Sequence, residues 1–153
     1  MTLQPPRHDR GFDLPHRPGV LIVEDELLIA INNAGVVDDI GCDVVGIAAT
    51  AADALAIAEQ RRPDLAIVDI TLGDGMDGVE LARRLIARHG MRVIFASAQH
   101  DERTRHRADL VGPAGFLRKP FPDRALQDLV RRSLAPEMLL CRDAAAHELA
   151  LAV

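Results

Sequence analysis

Apolar positions along the chain follow two alternating rhythms. Short runs, many β-branched, occur at Val20-Leu21-Ile22-Val23, at 42–48, at Leu65-Ala66-Ile67-Val68, at Val93-Ile94-Phe95-Ala96 and at Gly115-Phe116-Leu117. Runs of this length predict strands, and the wholly apolar ones predict strands buried on both faces; the run at 42–48 carries Asp43. Between them apolar residues recur with helical spacing, which predicts helices over 26–40, from Thr50 to about 60, from 77 or 78 to 89, over 101–109 and from Pro122 to about 134. The expected inward faces are Leu28, Ile31, Val37 and Ile40 on the first helix and the alanines, Leu55 and Ile57 on the second. On the third they are Leu81, Leu85 and Ile86, and on the fifth Leu126, Leu129 and Val130. The fourth helix is charged and weakly amphipathic. Asn32, Asn33 and Gly35 lower the propensity of the first, so tertiary packing must hold it. Punctuation agrees: Gly41 and Gly90 follow helices, Thr50 with Asp53 resembles a capping box, and Pro63 closes the second unit.

Strict strand–helix alternation implies an α/β fold, a doubly wound parallel sheet covered on both faces with right-handed crossovers. Five strands suit the flavodoxin-like order 2-1-3-4-5. The folded domain is expected over 18–135. Residues 1–17, with Pro5, Pro6 and Pro15, read as a flexible tail, and residues 136–153, rich in Ala and Leu, as a second tail with room for one further helix.

Composition narrows the function classes. The chain has 153 residues, 48% of them hydrophobic and 27% charged, enough for one domain with a real core. The net charge of −5 gives no general affinity for nucleic acid or anionic membranes, and 3% aromatics leaves no base-stacking platform. No apolar run reaches membrane-spanning length, and the first 18 residues lack the apolar segment of a signal peptide. Cys42 and Cys141 form no CxxC and read as reduced, buried small hydrophobes. The expected compartment is the cytoplasm.

The candidate chemistry sits at the strand ends. In an open parallel sheet, ligands bind beyond the carboxyl ends of the strands, where strands 1 and 3 lie side by side. Strand 1 runs into Glu24-Asp25-Glu26, strand 3 into Asp69, strand 4 into Ser97 and strand 5 into Arg118-Lys119. Any one of these polar residues has a structural explanation as a cap or a surface charge, and Glu26 is accounted for as an acid at a helix N-terminus. Together they converge on one cleft. Clustered carboxylates repel unless a cation is present, and Mg²⁺ (or Mn²⁺) accepts such oxygens while keeping several waters. Glu24, Asp25, Asp69 and the backbone carbonyl of Thr71 are the candidate metal ligands. Asp69 is then the candidate nucleophile, forming an aspartyl phosphate, with Lys119 as a point charge on the phosphoryl oxygens and Ser97 donating to another.

The chain resembles the receiver domain of two-component response regulators over about 18–135. The resemblance rests on Val-Glu-Asp-Glu after strand 1, Val-Asp-Ile-Thr-Leu before Met-Asp-Gly-Val-Glu-Leu, Ala-Ser-Ala at strand 4 and Gly-Phe-Leu-Arg-Lys-Pro-Phe at strand 5. It implies that Asp69 takes phosphate from a phosphohistidine on a sensor histidine kinase or histidine phosphotransfer protein. It implies acid-pair roles for Glu24 and Asp25, switch roles for Ser97 and Phe116, and a cis Lys119-Pro120 bond. There are departures. Glu24 stands where Asp is commoner, and Phe116 where Tyr is commoner. The loop Leu-Gly-Asp-Gly-Met-Asp-Gly lacks the usual proline and is one residue longer, so that Asp74 becomes a candidate modifier of the pocket.

The expected mechanism is a two-state switch: phosphate on Asp69 draws Ser97 inward, Phe116 fills the space behind it, and the surface of helix 4, strand 5 and helix 5 repacks. Arg103, Arg105 and Arg107 on helix 4 and Asp123 and Asp128 on helix 5 suit a two-fold homodimer through that surface, or simply a solvated face. Little chain follows helix 5, so the expected output is through partner proteins or as a phosphate relay or sink, without direct nucleic-acid binding. The expected chemistry is that of a phosphoacceptor with self-catalysed phosphotransfer and dephosphorylation, not of an enzyme in the usual sense. The alternatives are a phosphorylation-independent docking module, which should lack site residues, and a fragment of a larger regulator. An aspartyl-phosphate hydrolase should carry a second Asp at position 71, which is Thr, and a dinucleotide-binding domain a GxGxxG turn where Glu24-Asp25-Glu26 stands.

Overall fold

The computed structural model describes residues 16–73, 75–98 and 101–136. The elements run β1 (Gly19–Val23), α1 (Leu27–Asp39), β2 (Asp43–Ala48), α2 (Ala51–Arg61), β3 (Leu65–Val68), α3 (Gly78–His89), β4 (Arg92–Ser97), α4 (Glu102–Leu110), β5 (Gly115–Arg118) and α5 (Asp123–Ser133). The strands form one parallel sheet in the order β2-β1-β3-β4-β5, the flavodoxin-like order expected of the alternation. Every residue of β1 and β3 is buried, because these strands lie inside the sheet and carry helices on both faces. β2, on one edge, is only half-buried along most of its length.

Two apolar layers sandwich the sheet. One gathers Leu21, Val23, Ala66, Val68, Val93 and Phe95 against α2 and α3; the other gathers Val20, Ile22, Leu65, Ile67, Ile94 and Ala96 against α1 and α5. Adjacent residues of one strand thus serve opposite layers. Capping follows the sequence. Thr50 accepts the Asp53 N–H, Asp77 accepts the Glu80 N–H and Asp101 accepts the Thr104 N–H. Gly90 ends α3 in the left-handed conformation at φ 60°. Pro122 is the N-cap of α5 rather than a residue of its first turn.

The face of α1 differs from the expectation. Leu28 and Ile31 are 83% and 53% exposed, and Leu27 beside them 66%. The buried face is Ala30, Asn33, Val36 and Val37, with Ile40 packed against it. Small residues at 30 and 34 bring the helix close to the sheet, which leaves the larger Leu27, Leu28 and Ile31 pointing away. Val37 and Ile40 pack as expected. Cys42 is fully buried. Cys141, the N-terminal tail to residue 15 and the C-terminal tail beyond residue 136 lie outside the described residues.

Candidate functional site

β1 and β3 pair in register from Val20 with Leu65 to Val23 with Val68, so both chains leave the sheet at the same level. Asp69 follows β3 directly, and its N–H donates to the Val23 carbonyl at 2.9 Å. Glu24 follows β1, and its N–H donates to the Ala48 carbonyl at 2.9 Å. These backbone bonds extend the ladder by one residue and fix where each carboxylate starts. Asp69 and Glu24 are both buried, and Asp25 beside them is exposed. One carboxylate oxygen from each of the three lies within 4.8 Å of the others.

Lys119 enters from β5. Its N–H donates to the Ser97 carbonyl at 3.0 Å, and the Lys119-Pro120 peptide is cis, as the resemblance implies. Its Nζ donates to Glu24 Oε2 at 2.5 Å and to Asp69 Oδ2 at 2.9 Å. The lysine was expected over phosphoryl oxygens; here it also bridges the two buried acids. Burial favours a neutral Lys119 amine, but the Glu24 and Asp69 carboxylates outweigh it and hold its pKa above the ordinary lysine range. Burial pushes the Glu24 carboxyl up, and the opposing Lys119 and the Glu26 N–H do not fully offset it. A buried carboxylate still under that pressure, beside two further acids, is a cluster that a divalent cation would relieve. Oxygen donors alone suit Mg²⁺ or Mn²⁺.

The loop after β3 closes the cleft. The Thr71 N–H donates to Asp69 Oδ1 at 2.9 Å, orienting the carboxylate. A Cβ at Gly73 would stand 3.5 Å from Asp25 Oδ2, so this loop lies against the exposed acid. Asp74 lies outside the described residues. Ser97, the last residue of β4, is fully buried and pairs with Arg118 of β5. Phe116 is half-buried opposite Phe95, with ring centroids 6.1 Å apart, and the Arg105 guanidinium lies 4.3 Å from its centroid.

Thus Glu24, Asp25, Asp69 and Lys119 are brought together, Thr71 joins them through its N–H, and Ser97 and Phe116 line the neighbouring strands. Comparison with known proteins adds the family. A model of the response regulator receiver domain matches residues 20–131. The chain belongs to the receiver domains of response regulators. Among curated relatives, the phyllosphere-induced regulator PhyR of Methylorubrum extorquens is 36% identical over 118 residues, covering 75% of this chain and 43% of that protein. The transcriptional regulatory protein PdtaR of Mycobacterium tuberculosis is 30% identical over 125 residues, covering 82% of this chain and 58% of that protein. The chain therefore spans about half the length of these relatives. Among solved structures, the signal receiver domain of a modulated diguanylate cyclase from Desulfovibrio desulfuricans G20 superposes with a TM-score of 0.74 at 37% identity, covering 81% of this chain and 98% of that one. A CheY-like receiver domain protein from Methanospirillum hungatei JF-1 superposes with a TM-score of 0.74 at 27% identity, covering 80% of this chain and 98% of that one.

Receiver domains serve as phosphoacceptors in two-component signalling, use Mg²⁺ at an acidic pocket, and partner with histidine kinases or phosphotransfer proteins. This receiver has such an acidic cluster. No described helix is long and apolar enough to cross a membrane.

Several contacts were not expected from the sequence. Arg107 of α4 forms an ion pair with Asp77, Nη2 to Oδ2 at 2.6 Å, and Arg105 covers Phe116 while bonding to Asp109 at 3.1 Å. Arg105 and Arg107, two of the three arginines that suited an intermolecular contact, are thus engaged within the protomer. Asp123, on the opposing helix, accepts from Asn32 at 3.2 Å. Arg105 and Asp109 stand four apart on one helix, but periodicity does not find Arg107 with Asp77 or Asn32 with Asp123, 30 and 91 positions apart.

Proposed function

We propose that this receiver accepts a phosphoryl group on Asp69 from a phosphohistidine on a sensor histidine kinase or histidine phosphotransfer protein. The observation that carries the reading is the setting of Asp69, buried at the end of β3, bonded to Lys119 and clustered with Glu24 and Asp25. An Asp69 oxygen attacks phosphorus as the P–N bond to the donor imidazole breaks, and the departing imidazole takes a proton from solvent. Asp69 then carries the acyl phosphate until water attacks phosphorus, releasing inorganic phosphate and restoring the carboxylate. Glu24, Asp25, Asp69 and the Thr71 carbonyl would hold Mg²⁺ or Mn²⁺, which would supply charge neutralisation for the phosphoryl oxygens. Lys119 supplies a positive charge on the same oxygens, and the Thr71 N–H keeps the acceptor carboxylate oriented. Ser97 and Phe116 are the switch pair, and Asp74 in the lengthened loop is a modifier of metal affinity or phosphate lifetime.

The donor docks on α1. Leu27, Leu28 and Ile31 form an exposed apolar patch on the helix that begins two residues after Asp25, beside the mouth of the cleft. The chain works in the cytoplasm as a phosphoacceptor rather than as an enzyme with a separate substrate. It passes its state to a partner protein, or relays or drains phosphate, through residues 18–135, flanked by the segments 1–17 and 136–153. A docking module independent of phosphate is the second reading, but the full acid–lysine cluster argues against it.

Incubation with Mg²⁺ and a small acyl phosphate, read by intact mass, tests this. The expected result is one phosphoryl adduct, absent with a chelator and absent in Asp69→Asn. No adduct with any donor would overturn the reading in favour of the docking module.

A further inference from the structure

α4 is held by unusually little apolar packing. Of its nine residues only Ala108 is buried, and Leu110 is 73% exposed. An element with so few buried contacts takes its position from its polar ties. Two such ties to other elements are present among the described residues, on opposite sides of the helix. Arg105 lies over Phe116 of β5, and Arg107 reaches the other way to Asp77. Beside this second tie an open cleft of about 270 Å³, lined by Ile70, Thr71, Leu72, Met76 and Thr104 among others, lies between α4 and the loop after β3. Arg107 lines this cleft and bonds to Asp77 at its edge.

Asp77 is not a free surface charge. Its Oδ1 accepts the Glu80 N–H at 2.8 Å and caps α3, while Oδ2 takes the arginine. Burial pushes its carboxyl up, but the Glu80 amide and the Arg107 guanidinium outweigh that and hold it below the ordinary aspartate range. The next residue, Gly78, donates its N–H to the Ile70 carbonyl at 2.8 Å. A Cβ at Gly78 would strike the Asp69 backbone carbonyl oxygen. A pull on Asp77 is therefore transmitted to the backbone of Asp69 and Ile70 through contacts with no slack.

We propose that Arg107 is a positioning residue: through Asp77 and Gly78 it seats the backbone of Asp69 and Ile70 and couples the phosphoacceptor to the position of α4. This rests on the reading of Asp69 as phosphoacceptor. Coupling of this kind is reciprocal, so chemistry at Asp69 that shifts the loop must also change how firmly α4 is held.

The test compares wild type, Arg107→Gln and Arg107→Lys in the full chain. Arg107 is exposed, so both variants keep the core intact. Amide exchange is measured at α4 and at Thr71, whose N–H bonds to Asp69 Oδ1. In Arg107→Gln, exchange at both places should rise about two- to fivefold, the scale of a half-exposed ion pair. The phosphoryl half-life on Asp69 should shorten by a similar factor. Arg107→Lys, which keeps the charge, should recover most of both effects. Faster exchange in α4 alone, with Thr71 and the half-life as in wild type, would overturn the proposal, because a merely structural tie loosens only its own helix. If wild type took up no phosphoryl group, the phosphoacceptor reading would fail, while Thr71 exchange in the unmodified protein would still decide the tie.

Discussion

At Gly78 the first turn of α3 passes so close to the backbone of Asp69 that no side chain fits between them. The contact is with backbone, which cannot rotate away as a flexible side chain could. Gly78→Ala should therefore force α3 and the loop apart and cost about 1–3 kcal/mol, the usual range for overpacking. Urea unfolding measures it, and an unchanged midpoint would show that the approach is looser than described. The sequence shows this glycine only as part of Met-Asp-Gly; the reason for it appears when β3 and α3 are brought together. Asp69, Glu24, Asp25 and Lys119 are different. Each lies within two residues of a strand's carboxyl end, so the sheet order alone was enough to gather them. What was not legible was that Lys119 spans Glu24 and Asp69, because a side chain's choice between acids depends on distances that strand ends do not specify.

Among the elements, strands and caps were readable and the orientation of α1 was not. A buried parallel strand needs an unbroken apolar run, and a cap needs a particular side chain, so both leave marks in the sequence. Helical periodicity finds apolar faces without saying which one the core takes. In α1 the core takes the small face of Ala30 and the two valines, and the larger apolar face stays outside. That outward face yields a prediction. Leu28→Ala and Ile31→Ala should leave stability within about 0.5 kcal/mol, since both sites are exposed. They should slow phosphoryl transfer from a protein phosphohistidine donor several-fold, with uptake from a small acyl phosphate unaltered. Equal rates from both donors in wild type and variants would show that α1 does not receive the donor.

For the whole molecule, the sheet places the acceptor cluster at one end and α4, β5 and α5 beside it, with Phe116 and its arginine cover between them. Arg105 and Arg107 serve contacts inside the protomer, so a two-fold dimer that used these two arginines would have to release or rearrange them. Sedimentation at several concentrations should then show a monomer without phosphate and association with it. A monomer in both states would remove dimerisation as the output and leave a monomeric contact with a partner. Phosphate uptake at Asp69 is tested by locating the phosphoryl group. Protein phosphorylated in the presence of Mg²⁺ is treated with borohydride, which reduces an acyl phosphate to the alcohol, and its peptides are read by mass. Homoserine is expected at position 69, lost in Asp69→Asn and when Mg²⁺ is chelated. Reduction at Glu24 or Asp25, or at no carboxylate, would contradict it.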